Sequence, residues 1–364
     1  MLRTKILISS IGLPSQSIGS WVVRIQKFQE NLNYFDYILS PTSKEDQSLL
    51  FCRKNDLKIW QKLYPKNTKT NLRAEQYLFA LKKIAEKGNP MQVLVMDDRS
   101  LLDSVVLFKP QLPKGSEICF SYHGHSLALP NWVMDNTDKV FFLTIAGYKK
   151  SLEINYQFTP QTFIVGNGVV GDQFFPLSKQ EKGIQRESLG YSPDDRILVW
   201  MANSRPVKGF HLFKKIAVKL LEKYPDLKII SIGHETDPTI HHQNWKQAGR
   251  LAHKDLPGYL QIGDIYFFTS LWQEGFGLSL AEAVKSGNWV LSSALGGIPE
   301  VLQGCRKAVF VEEPNIVNSW IQGFESLLEK KQADTFPDQE YFNWLKTWHE
   351  YSDWEQRYFK ALID

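Results

Sequence analysis

Glu274-Gly275-Phe276-Gly277-Leu278-Ser279-Leu280-Ala281-Glu282 sets two carboxylates eight positions apart around a glycine-bearing turn. Gly275 and Gly277 let bare backbone N–H groups come close to a ligand. The run Leu278–Lys285 is predicted to be a helix, and a helix N-terminus carries the partial positive charge that suits phosphate. Glu274 lies ahead of that helix and Glu282 inside it. Ionised carboxylates accept paired hydrogen bonds from neighbouring hydroxyls. One acid on each side of a diphosphate therefore suits a ligand with a sugar at either end, which is a sugar nucleotide.

Outward from this stretch, short β-rich apolar runs alternate with longer helical patterns, the pattern of an α/β fold with parallel sheets. In the first half, strands are predicted at 5–10, 34–39, 92–96, 117–122, 139–143 and 162–165. A glycine turn ending in Gly19-Ser20 follows the first strand and leads into a helix at 21–31, as in nucleotide-binding folds. A second set of strands is predicted at 197–201, 227–232, 266–269 and 289–293, with a helix over 209–223. In that helix Phe210, Phe213, Ile216, Ala217, Leu220 and Leu221 fall at helical spacing and form a core stripe. Gly296-Gly297-Ile298-Pro299 opens a further helix with proline in its first turn. Between 168 and 193, Gly, Pro, Asp and Lys cluster without periodicity and read as a linker.

The bulk properties fit two globular domains. A chain of 364 residues is long for one core, at roughly 100–200 residues per domain. Its 43% hydrophobic, 23% charged and 13% aromatic content excludes disorder, and no apolar run reaches the ~20 residues of a membrane helix. The apolar opening at 6–11 is cut by Gly12 and Pro14 and reads as a buried strand rather than a signal peptide. Cys52, Cys119 and Cys305 are odd in number and far apart, which points to a reducing cytoplasm. The net charge of +4 is unevenly placed: 21 Lys and Arg face 14 Asp and Glu through Gly168, leaving 22 against 25 beyond it. A basic first half suits an anionic membrane surface, and no basic-aromatic motif of a nucleic-acid module is present.

Together these features resemble the retaining glycosyltransferases of family 4. The resemblance is strongest from Asp264 through Glu274 to Glu282-Ala283, and continues through Gly287 to Gly296-Gly297-Ile298-Pro299-Glu300. Val165-Gly166-Asn167-Gly168-Val169, Lys208-Gly209 and the ending from Tyr351 to Tyr358 support it. It implies the GT-B architecture, two Rossmann-like doubly wound parallel-sheet domains facing a central cleft. Residues 1–168 would form the acceptor-side domain and 169–345 the nucleotide-sugar domain, with 346–364 a last helix packing back on the first.

The resemblance also implies roles. Glu282 would hold the ribose hydroxyls and Glu274 those of the transferred sugar, while backbone N–H groups around Phe276, Gly277 and Leu278 meet sugar and phosphate. Lys208 and Arg205 would neutralise the departing diphosphate. The family commonly places this arginine five residues before the lysine, where this chain has Asn203; Arg205 is three before. His123 would face the reacting sugar, with His125 a competitor two positions on, and Gly19 would lie near the phosphates. Transfer would follow front-face attack, in which the departing phosphate helps deprotonate the acceptor hydroxyl. No metal and no resident cofactor are expected; the donor would be UDP- or GDP-linked and the acceptor a glycan or a lipid-linked glycan. A nucleotide-sugar epimerase of the same fold and a non-catalytic sugar-nucleotide-binding module are the rival readings. Asp97-Asp98 is expected to cap a helix or line a loop rather than to hold a metal.

Overall fold

The computed structural model describes residues 3–14, 20–42, 48–335 and 338–364. The chain divides into two compact units, one of Met1–Val165 with Phe359–Asp364 and one of Gly166–Tyr358.

The first unit is built on β1 (Thr4–Ser9), β2 (Tyr37–Ser40), β3 (Leu49–Phe51), β4 (Met91–Met96), β5 (Glu117–Ser121), β6 (Lys139–Phe142) and β7 (Gln161–Ile164). They run parallel in the order β3-β2-β1-β4-β5-β6-β7. This is the doubly wound order, which reverses direction between β1 and β4. All six residues of β4 are buried, as a central parallel strand covered on both faces requires. The last residues of the chain are tied into this unit. Gln92 Nε2 and the buried Lys139 Nζ donate to the carbonyl of Leu362 at 2.7 and 3.2 Å, satisfying one of the helix-end acceptors.

The second unit repeats the plan with β8 (Arg196–Met201), β9 (Leu227–Ile232), β10 (Trp245–Gly249), β11 (Ile265–Phe268), β12 (Trp289–Ser293) and β13 (Ala308–Val311). The order is β10-β9-β8-β11-β12-β13, again all parallel, with its reversal between β8 and β11. The helix Phe210–Lys223 buries Phe213, Ile216, Ala217, Leu220 and Leu221 as its spacing predicts. Leu212 replaces Phe210 in the buried stripe. Phe210 is half-buried and stacks on His234 with centroids 3.8 Å apart.

Three strands, β3, β10 and β13, are additions to the set read from sequence. The stretch 168–193 is also more ordered than a linker. It holds the helix Lys179–Ser188, opened by a capping box in which Ser178 Oγ accepts from Glu181 N and Glu181 reaches back to Ser178 N. The helix after Gly296-Gly297 has proline in its first turn as expected but is only Ile298–Val301.

Candidate functional site

In an open parallel sheet, ligands collect at the carboxyl ends of the strands where the order reverses, because the connections on either side part there. In the second unit that place lies between the loops after β8 and β11. The loop after β8 carries Asn203, Arg205 and Lys208; the loop after β11 runs from Thr269 to Gly277 and delivers Glu274.

A short turn, Pro206–Lys208, presents Lys208, and Gly209 closes it at φ +76°. A Cβ on Gly209 would lie 2.1 Å from the carbonyl oxygen of Thr269, so only glycine allows the two loops to approach this closely. Thr269 Oγ1 donates toward the carbonyls of Lys208 and Gly209, 3.2 Å from each, and accepts from Trp200 Nε1 at 2.8 Å. Leu271 N donates to Val207 O. With the backbones locked together, Lys208 Nζ reaches Glu274 Oε1 at 2.5 Å, and the buried Ser270 hydroxyl donates to the same oxygen at 2.5 Å. Among the described residues Glu274 Oε2 has no hydrogen-bond partner, and the Lys208 ammonium has only Glu274. The pair thus presents one open carboxylate oxygen and an ammonium with N–H groups to spare.

The backbone of Glu274 is fixed from the other side by a parallel bridge to Gly296, with Gly297 N donating to Glu274 O at 2.8 Å. Beyond it, Phe276 is buried and its ring meets that of His349 edge-on, centroids 5.0 Å apart. Gly277, at φ +76° and ψ +58°, is the N-cap of the helix Leu278–Lys285. A Cβ there would lie 2.4 Å from Ile298 Cδ1. With the side chains of Phe276 and Leu278 turned into the core, this turn offers its backbone, and the first N–H groups of the helix have no partner within it.

Glu282 is 4% exposed and lies 3.6 Å from His253 Nε2. Tyr266 of β11 lies within electrostatic reach of both carboxylates. Its phenol donates to Met201 O at 2.9 Å and accepts from Ser279 Oγ at 3.0 Å. Burial, together with the charges of Glu282 and Glu274, pushes its pKa well above the usual phenol value. The fold therefore gathers Lys208, Glu274, Glu282 and the Phe276-Gly277-Leu278 turn around one sheet end. Arg205 and Asn203 are exposed on the same loop as Lys208. Asn203 Oδ1 accepts from Arg205 N at 3.1 Å, and the Arg205 guanidinium makes no ion pair among the described residues.

In the first unit the loops after β4 and β5 bring Asp97 and His123 together. Asp97 adopts φ +46°, and its Oδ1 accepts from His123 N at 2.9 Å. His123 Nε2 lies 3.1 Å from Ser121 Oγ, and the ring lies 5.8 Å from that of Trp21. Burial, then the Arg24 guanidinium, pushes the His123 pKa down to about 3, so the imidazole is neutral at physiological pH. His123 is partly exposed and His125 is buried. Gly19 lies outside the described residues. Asp98 caps the helix Arg99–Phe108 as expected, accepting from Ser100 N and Leu101 N at 3.0 and 3.1 Å. Its oxygens also receive the Lys54 ammonium. Asp98→Ala is expected to cost about 1 kcal/mol of unfolding free energy, read by denaturant melting, because the cap donors lose their acceptor.

Ser270, Thr269 and Tyr266 are site residues that motif reading passes over. The signal was present in Thr269-Ser270, a polar pair closing an apolar strand four residues before Glu274.

Residues 181–340 match the family model for glycosyl transferases group 1. That span includes Lys208, Glu274 and Glu282. A human phosphatidylinositol N-acetylglucosaminyltransferase subunit is 34% identical over 161 residues, 41% of this chain and 32% of the human protein. The Saccharomyces cerevisiae GPI3 subunit of the corresponding enzyme is 25% identical over 199 residues, 52% of this chain and 42% of the yeast protein. The matches thus take in less than half of these relatives' lengths. Whole-chain likeness is found among solved structures. A sucrose-phosphate synthase from Thermosynechococcus elongatus superimposes with a TM-score of 0.75 at 16% identity, covering 99% of this chain and 98% of that one. Anabaena HepE, solved with UDP and glucose, gives 0.69 at 13% identity over the full length of both chains. The fold is the two-domain GT-B fold.

Proposed function

We propose that this protein is a retaining glycosyltransferase that moves a hexose-type sugar from a nucleoside-diphosphate sugar, UDP- or GDP-linked, to a hydroxyl of a glycan or lipid-linked acceptor. The observation that carries the reading is the Lys208–Glu274 pair at the point where the second sheet reverses, with the helix Leu278–Lys285 beginning beside it. The group 1 match over that span and the UDP and glucose bound by the HepE fold relative support the donor class.

In the proposed reaction the bond between the anomeric carbon and the diphosphate breaks first. Negative charge collects on the phosphate oxygens as positive charge grows on the ring. Lys208, Arg205 and the N–H groups of the Phe276-Gly277-Leu278 turn meet the growing anion, and such preorganised donors act mainly on the transition state. Glu274 Oε2 accepts from hydroxyls of the transferred sugar, and Glu282 accepts from the ribose. A departing phosphate oxygen takes the acceptor hydroxyl's proton as the acceptor's own oxygen bonds the anomeric carbon on the face the phosphate left, which retains configuration. His123, as a neutral imidazole, is suited to hydrogen bonding with a sugar hydroxyl. The reading needs no metal.

Incubation with UDP-, GDP- and ADP-sugars, following nucleotide release and product configuration, tests the proposal. Acceptor-dependent release with a retained anomeric centre supports it. Inverted product, epimerised donor or binding without release contradicts it. Glu282→Gln is expected to weaken equilibrium donor binding about 10- to 100-fold, since hydrogen bonds to an ionised acceptor contribute roughly 1.5–3 kcal/mol. Titration of the variant with nucleotide alone checks this, and unchanged affinity removes Glu282 from the ribose site.

A further inference from the structure

Residues 58–83 of the first unit contain seven Lys and Arg and one acid, Glu75. The nearest ion pairs, Lys54–Asp98 and Lys109–Asp138, lie outside this segment. None of its seven cations is neutralised by an ion pair among the described residues. Lys69 reaches only the carbonyl of Lys62, and Lys83 sits 4.5 Å from the centre of the Phe79 ring. Apolar side chains stand exposed among these charges: Leu63 is 86% exposed, Phe79 59% and Tyr64 39%. The helix Lys66–Arg73 buries none of its residues fully, although tertiary packing normally supplies most of the stability of so short a helix. Beside it an open groove of about 540 Å³ is walled by Leu72, Leu78, Phe79 and Phe108, with Lys82 on its lining.

Unpaired cations interleaved with exposed Leu, Tyr and Phe have one natural counterpart. The anionic face of a bilayer attracts each Lys or Arg electrostatically, and its headgroup-acyl boundary takes up apolar side chains. A nucleic acid would satisfy the cations but offers an aliphatic side chain as exposed as Leu63 little burial. No helix among the described residues is long and apolar enough to cross a membrane, so the contact would be made from the surface. We propose that residues 58–83 form a docking surface for anionic phospholipid, in which Leu63, Tyr64 and Phe79 enter the interface and the lysines around them bind headgroup phosphates. This surface belongs to the first unit and the proposed donor residues to the second, so each stands or falls alone.

Co-sedimentation of the full chain with phosphatidylcholine vesicles, with and without phosphatidylserine, tests the proposal. Partitioning is expected onto the serine-containing vesicles only and is expected to fall as salt rises. Lys62→Glu/Lys66→Glu/Lys69→Glu is expected to lower it about a hundredfold. Leu63→Asp/Phe79→Asp is expected to weaken it while leaving the charge pattern of the lysines in place. Both variants change exposed or half-exposed positions, and thermal melting verifies that they fold. Equal binding to neutral vesicles, binding unchanged in the variants, absence of vesicle binding, or retention on nucleic acid in place of vesicles would each overturn the proposal. Nucleotide release measured without lipid reports on the donor site separately.

Discussion

Lys208→Ala is expected to lower turnover of the sugar donor by about 10²–10³, the usual loss when one preorganised donor to developing charge is removed. Equilibrium donor affinity should change less, because the diphosphate gains a further negative charge as it departs, and the part of an interaction that grows at that moment acts on kcat. The geometry makes the lysine more than a surface cation. Its turn is clamped to the loop after β11 through Gly209 and Thr269, and its ammonium rests 2.5 Å from Glu274. In the variant Glu274 keeps the Ser270 hydroxyl and loses its counter-ion. Some loss of stability will accompany the loss of rate, so both proteins are to be assayed well below their melting temperatures. Turnover within about threefold of the parent would show that Lys208 merely covers the start of the next helix.

Gly296→Ala is expected to damage both stability and catalysis. A Cβ at this position would lie 2.4 Å from Glu274 O, 2.6 Å from Glu274 N and 2.8 Å from Gln273 C, and all three are backbone atoms with no rotamer to escape into. The residue also sits at φ +69°, where a side chain adds roughly 1–2 kcal/mol of backbone strain. Overpacking adds about 1–3 kcal/mol more. Relief requires the Glu274 backbone to move, and a shift of about 1 Å at a reacting centre can cost ~10²-fold in rate. Gly190→Ala is the control. Gly190 has φ +84° with nothing within 4 Å of the added Cβ, so it should show the strain alone and near-normal turnover. Thermal melts and initial rates on both variants check the pair. Equal activity in the two would mean that the Gly296 bridge does not position Glu274.

The central strands were legible from sequence, but of the four edge strands only β7 was, for a physical reason. β4, β8, β11 and β12 are covered on both faces and read as continuous apolar runs. β3, β10 and β13 each lie at the margin of a sheet and are only partly buried, so Leu49–Phe51 and Trp245–Gly249 carry little period-two signal. β2 starts at Tyr37 rather than at residue 34, because Tyr34 and Phe35 are buried as loop residues, with Tyr34 Oη bonded to Gln92 Oε1 at 2.7 Å. At the site, Glu274, Glu282 and Lys208 were visible as motif positions. Ser270, Thr269 and Tyr266 act through contacts made across neighbouring strands and loops, and no spacing along the chain encodes those.

The decisive experiment on the donor site is a crystal of the protein soaked with a UDP- or GDP-hexose. Density is expected for the ribose hydroxyls on Glu282, the diphosphate against Lys208 and the Phe276-Gly277-Leu278 backbone, and the hexose on the open oxygen of Glu274. Density for the donor away from the carboxyl ends of β8 and β11, with Glu274 and Glu282 untouched, would contradict it.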